Sequence, residues 1–177
     1  MLLVDVRSQP YSQHFPDYNK DNLERLLKRE GLHYRNYARE FGARQEDRRY
    51  FNRDGFLDFE RFAQSPPFLS GFQKLTESMK QGYRFALMCA EKDPLNCHRA
   101  ILVARAFHDA GYKVLHLLAN DTEMTQEEME RRLLDQTFPN RNQMTLFDDA
   151  WSEEELLAQA YRKKNGEIGY HHNGESG

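Results

Sequence analysis

Short apolar strings that alternate with amphipathic segments are the feature that most narrows what this chain can fold into. Leu2-Leu3-Val4-Asp5-Val6 is nearly continuous in apolar character, Tyr83-Arg84-Phe85-Ala86-Leu87-Met88-Cys89 more so, and Lys113 to Leu118 forms a further string. Runs of this length bounded by polar residues read as strands covered on both faces, the habit of a parallel sheet. Leu32 to Tyr37 is another strand candidate. Helical patterns lie between them. Leu23, Leu26 and Leu27 share a face of the segment from Asp21 to Glu30, which Gly31 ends. Pro66-Pro67 opens a second helix with Phe68, Leu69, Phe72, Leu75 and Met79 on one face, and Cys97 to Ala110 is a third, stopped by Gly111. The alternation predicts an α/β fold, a mainly parallel sheet flanked by helices and joined by right-handed crossovers.

The C-terminal third differs in kind. Thr125-Gln126-Glu127-Glu128 and Ser152-Glu153-Glu154-Glu155 are capping boxes, opening helices expected to run to about Leu134 and Lys164. The division expected is an α/β core over 1–120, a helical extension over 121–170 and a disordered tail over 171–177. Residues 39–58 are charged and aromatic without a stable period, the pattern of a long loop. Twelve Phe and nine Tyr in 177 residues exclude a disordered chain. The net charge of −3 argues against coating nucleic acid through bulk positive charge, although a local basic patch survives such averaging. No apolar stretch approaches the roughly 20 residues of a membrane span, and no secretory pattern precedes the first strand. With only Cys89 and Cys97 as thiols, a cytoplasmic protein without a disulfide framework or membrane partner is expected.

Ligands of open α/β sheets bind beyond the carboxyl ends of the strands. The best strand runs into Cys89-Ala90-Glu91-Lys92-Asp93-Pro94-Leu95-Asn96-Cys97-His98-Arg99, where a helix also begins. Arg99 is unfavourable for a helix's first turn unless it forks onto a phosphate or carboxylate. The same positive field makes Cys97 or Cys89 a candidate thiolate, with Glu91 and His98 as acid–base candidates. Three readings compete here. Cys89 serves as a small buried apolar group with His98 and Arg99 paired to nearby acids, or the cluster is catalytic, or Cys89, Glu91, Cys97 and His98 hold a metal without zinc-finger spacing. At the first strand's end, Asp5 requires a partner in Arg7 or Arg99, as a structural ion pair or an orienting group. Arg7 and Ser8 are anion-binding candidates there. Arg44, Arg48, Arg49 and Tyr50 offer cations and a stacking surface for single-stranded nucleic acid, or simple packing.

Together these residues resemble the bacterial family known as domain of unknown function 488. Val4-Asp5-Val6-Arg7-Ser8 with Pro10 and Ser12, Gly31 with Tyr34, Glu40 with Gly42, Cys89-Ala90-Glu91 with Pro94, and Cys97-His98-Arg99 carry the resemblance across residues 2–118. The family usually begins with an extra strand bearing Gly-His-Ser, and the sequence here starts after it. Where many members read Glu-Leu-Gly-Gly, this one has Glu40-Phe41-Gly42-Ala43. The resemblance implies a Rossmann-like α/β domain with a polar pocket at Asp5, Arg7, Cys89, Glu91, Cys97, His98 and Arg99, without naming a reaction.

Gln143-Met144-Thr145-Leu146-Phe147 resembles the peptide by which bacterial polymerases and repair proteins bind the sliding clamp. Leu146 and Phe147 would enter an apolar pocket while the Gln143 amide satisfies its rim; the bland reading is a staple for the last helix. The expectation is a DNA-metabolism or repair protein whose anion-binding pocket acts on a nucleotide or nucleic acid as hydrolase or lyase. The alternatives are a thiol-dependent enzyme in the manner of rhodaneses or cysteine phosphatases, and a non-catalytic clamp adaptor.

Overall fold

The computed structural model describes residues 1–141 and 151–171. These fall into two compact units, Met1–Ala90 with the chain from Tyr170, and Glu91–Gly169.

In the first unit, β1 (Leu2–Asp5), β2 (His33–Asn36) and β3 (Phe85–Met88) form a parallel sheet in the order β2-β1-β3. Val4 stands opposite Arg35 on one side and Leu87 on the other. The central strand carries its continuous apolar run into the core, with Val4, Asp5 and Val6 buried. The helix α1 (Lys20–Arg29) connects β1 to β2, with Lys28 and Arg29 complementing the dipole at its C-terminal end. Its apolar face is narrower than expected: Leu23 is buried but Leu26 is 50% exposed.

Residues 39–58 are largely irregular, in keeping with a long loop, but they carry short anchored elements. They hold most of α2 (Ala38–Phe41), a 3-10 turn at Arg48–Tyr50 capped by Asp47, and an antiparallel bridge between Phe51 and Leu57. No period is visible because the apolar groups are anchored one at a time: Phe41, Phe51 and Leu57 are each buried, on separate short elements. After α3 (Phe59–Ala63) comes α4 (Pro66–Lys80), with Ser65 capping its first turn. Phe68 takes Phe41 and Phe62 edge-on at centroid distances of 5.1 and 5.8 Å. Leu69, expected on the same face, is 47% exposed, since the helix's buried stripe runs through Phe68, Gly71, Leu75 and Thr76. The helices α2 and α4 meet at Gly71, where a Cβ would lie 2.6 Å from Glu40 Cβ and 3.0 Å from Phe41 Cζ.

In the second unit, Asp93 caps a 3-10 turn at Pro94–Asn96. The helix expected from Cys97 begins later and is π-helical over Arg99–Ala104 before narrowing to α5 (Arg105–Asp109). Five successive residues, Ala100 to Ala104, are buried, so this turn is enclosed on every side rather than amphipathic. The string at 113–118 yields β4 (Leu115–Leu117), which pairs antiparallel with β5 (Glu123–Thr125) rather than adding a parallel strand. Here the chain turns back between Leu118 and Thr122, with Asp121 at φ 60. The helices α6 (Gln126–Thr137) and α7 (Glu153–Ile168) open with the two capping boxes, and α7 continues past Lys164. Among the described residues, no helix is long and apolar enough to cross a membrane.

Gly71→Ala places its Cβ against a backbone-fixed atom of Glu40, so α2 and α4 must separate. A loss of about 1–3 kcal/mol in urea-unfolding free energy is expected; an unchanged midpoint would show that the crossing has slack.

Candidate functional site

The central strand ends in a carboxylate that is fully buried. A buried carboxylate persists only when its oxygens are paired and hydrogen-bonded. Asp5 accepts from Arg7 Nε at 2.8 Å, Arg7 Nη2 at 2.6 Å, the Arg7 backbone N–H at 3.0 Å and the Tyr34 hydroxyl at 2.6 Å. Of the two partners the sequence allows, Arg7 takes it. Arg7 Nη2 also donates to the Tyr18 carbonyl at 2.8 Å, so this guanidinium ties the strand end to the segment before α1. Hydrogen bonding to Asp5 raises Arg7 further above its already high value, and burial followed by Asp5 pushes the Tyr34 hydroxyl well above the ordinary tyrosine range. Tyr34 is therefore a fixed donor.

Ser8 Oγ accepts from the Arg44 backbone N–H at 2.9 Å. Gly42 lies so near that a Cβ there would sit 2.7 Å from that oxygen and 2.4 Å from the Ala38 carbonyl oxygen. Ser8 and Gly42, both in the motif, thus form one joint between the strand end and the chain after α2. The basic side chains that follow are largely committed. Arg44 Nη1 donates to Gln9 Oε1 at 2.8 Å and its guanidinium lies 5.4 Å from the Tyr170 ring. Arg49 pairs with Asp47 at 2.6 Å, and Tyr50 packs edge-on against Phe62 at 5.5 Å. Arg48 is exposed and makes no ion pair among the described residues.

Cys89 follows β3 directly and is half-buried. Beyond it, in the second unit, Glu91 and Lys92 are exposed. Asp93 caps the turn through the Leu95 N–H and is gripped at both oxygens by Arg132 of α6, at 3.0 and 2.6 Å. Burial alone would raise Asp93, but the Arg132 and Leu95 hydrogen bonds outweigh it and hold the carboxyl below its usual range. The turn carries the chain back on itself, and the wholly buried Cys97 thiol donates to Glu91 Oε2 at 3.0 Å. His98 is buried beside it, and one ligand atom each from Glu91, Cys97 and His98 lie within 4.8 Å of one another. Arg99, half-buried, opens the π-helical turn and makes no ion pair among the described residues. A cleft of about 400 Å³ opens along the loop, walled in part by Lys92, Pro94, Leu118, Asn120 and Arg132.

The sequence reading missed a buried polar chain in this unit. His116 Nε2 lies 2.8 Å from Gln126 Oε1, Gln126 Nε2 donates to the Tyr161 hydroxyl at 2.8 Å, and that hydroxyl donates to Glu130 Oε1 at 2.7 Å. Burial lowers His116, the Gln126 hydrogen bond opposes this, and the Arg99 charge adds to the lowering. Burial and then Glu130 raise Tyr161, and the Arg105 guanidinium covers its ring at 3.9 Å. The uncharged Gln126 in the otherwise acidic first turn of α6 is the only sequence hint of this chain. The expected clamp peptide, Gln143–Phe147, and nearly all of the expected tail lie outside the described residues.

Residues 1–106, more than half of the chain, match the model of the family described as "Domain of unknown function DUF488", and the chain belongs to that family. The match covers the parallel sheet, the loop after β3 and the π-helical turn; α6 and α7 lie beyond it. No curated protein and no solved structure matches the chain.

Asp5→Ala leaves Arg7 and Tyr34 facing a buried void, and a loss of about 3–5 kcal/mol in unfolding free energy is expected. A loss comparable to a surface substitution would show that the carboxylate is dispensable. The His116 prediction concerns pH. Its folded value is depressed, so the unfolded chain takes up a proton first, and stability is lost as pH falls below about 6.5. Imidazole NMR should find His116 still neutral at that pH; half-protonation there would contradict the buried chain.

Proposed function

We propose that this DUF488 member is an enzyme of DNA metabolism, linked to repair, that binds a nucleotide or nucleic-acid phosphate at the loop after β3. The observation that carries this reading is Arg99. Keeping a guanidinium half-desolvated with no carboxylate on it is unfavourable, and a phosphate offers the bidentate acceptor it lacks. Arg132, by contrast, is already taken by Asp93. In this reading Glu91 and His98 serve as the acid–base pair of a hydrolase or lyase, Glu91 already accepting a hydrogen bond from the Cys97 thiol at 3.0 Å. The order β2-β1-β3 supports a Rossmann-like core, in which this loop leaves the carboxyl end of a strand. Asp5, Arg7 and Ser8 serve as a rigid strand end in this reading, with Arg7 committed to Asp5 and Tyr18.

Recruitment to the bacterial sliding clamp runs through Gln143–Phe147, which the sequence places between α6 and α7, with Leu146 and Phe147 as anchors. Arg48, exposed and without an ion pair among the described residues, is a cation available to a nucleic-acid strand passing the first unit. Two free thiols fit a cytoplasmic enzyme. The thiol-nucleophile alternative is left to Cys89, which is half-buried, because a reactive cysteine needs access and Cys97 has none.

Calorimetric titration with a 5′-phosphorylated oligonucleotide tests the pocket. Arg99→Ala should weaken binding about tenfold or more, the worth of a charged hydrogen bond. Equal affinity would remove Arg99 and the phosphate reading with it. Titrated into the sliding clamp, the wild type should bind in the micromolar range and Leu146→Ala/Phe147→Ala should not; loss of neither or absence of both returns the peptide to a structural role.

A further inference from the structure

We propose that Glu91, Cys97 and His98 form a binding site for a divalent cation of the zinc class. Three chemically different donors, a carboxylate oxygen, a sulfur and an imidazole nitrogen, converge with ligand atoms within 4.8 Å of one another. Around one tetrahedral zinc, with bonds of about 2.0–2.3 Å, such atoms are separated by roughly 3.5 Å, so closing onto an ion takes a movement of about 1 Å. The Cys97 sulfur and Glu91 oxygen already stand at 3.0 Å, with the thiol proton between them. The ion takes that proton's place: the S–H bond breaks, a sulfur–metal bond forms, and the proton leaves through Glu91 to solvent.

Local structure favours the convergence. The turn at Pro94–Asn96, fixed by the Asp93 cap and the Arg132 grip, brings position 97 back to position 91. Cys97 is extended (φ −129°, ψ 126°) and His98 is helical (φ −59°, ψ −23°), so adjacent residues leave the backbone in different directions and can face one ion. Cys97 and His98 are buried while Glu91 is exposed, which gives the site a dry floor and one entry side. Sulfur and imidazole select zinc-class ions over magnesium and calcium, which prefer oxygen alone. A fourth position remains for water. The site does not depend on phosphate binding at Arg99, but a bound ion takes Glu91 and His98 as ligands in place of the acid–base roles of the proposed function.

The test titrates cobalt(II), then zinc, into chelator-treated protein. One cobalt per chain should bind with a thiolate-to-cobalt charge-transfer band and with release of protons, and zinc should displace it. Cys97→Ser should abolish the band, and His98→Ala should weaken affinity by about 100-fold. Arg99→Ala should bind as the wild type does, so failure here is distinguishable from failure of the phosphate reading. Should a variant fail to fold, X-ray absorption on the zinc-loaded wild type decides. A shell containing sulfur supports the site; a shell of oxygen and nitrogen alone, or no ion retained after dialysis, overturns it.

Discussion

A carboxylate closed off from water stands at the end of the central strand, and the first unit is assembled around satisfying it. Asp5 draws donors from its own strand end, from Tyr34 on β2 and, through Arg7, from the chain just before α1. Three segments far apart in sequence are thereby held at the rim of the sheet. Desolvating a carboxylate and a guanidinium is unfavourable by several kcal/mol for each ion, which their contact and hydrogen bonds must offset. An apolar pair would fill the same space at less risk. What the ion pair adds is direction, because a bidentate guanidinium accepts one geometry where packed methyl groups accept several. The Ser8–Gly42 joint beside it works by the same exclusion: a hydroxyl occupies the space a side chain at position 42 would need.

The second unit has a comparable device on a smaller scale. Arg132, from a helix opened by its own capping box, holds Asp93, and Asp93 caps the turn that returns Cys97 to Glu91. The loop is rigid on the side where the buried thiol and imidazole lie, and its exposed residues Glu91 and Lys92 face solvent. Arg99 follows at once in a π-helical turn, and such widened turns recur at functional sites because they redirect a side chain without ending the helix. Rigid donors next to an uncommitted cation are the conditions under which a loop can bind a ligand without reorganising.

The parts of this structure that were legible in sequence are those where one local rule dominates. Continuous apolar runs announced β1 and β3, and two capping boxes located α6 and α7 to the residue at which they start. That Asp5 needs a cationic partner followed from the cost of burying a carboxylate, but the choice of Arg7 over Arg99 is seen only in the structure. The parts that were not legible depend on neighbours distant along the chain. The aromatics of 39–58 carry no period because Phe41 packs on α4 while Phe51 closes a local bridge to Leu57. The string at 113–118 looks like a parallel strand, and only the backbone at Asp121 decides that it becomes one arm of a hairpin. At the site, the residue types in Cys89–Arg99 were visible, but the turn that returns Cys97 onto Glu91 is supported by Arg132, which lies 39 residues from Asp93.

The loop from Glu91 to Arg99 is tested most directly by amide chemical-shift mapping of the wild-type protein titrated with a nucleoside monophosphate. Saturable shifts confined to Glu91, Cys97, His98, Arg99 and their immediate neighbours are the predicted result. Shifts centred instead on Arg48–Tyr50, or none at all, would contradict the assignment of this loop as the working part of the protein.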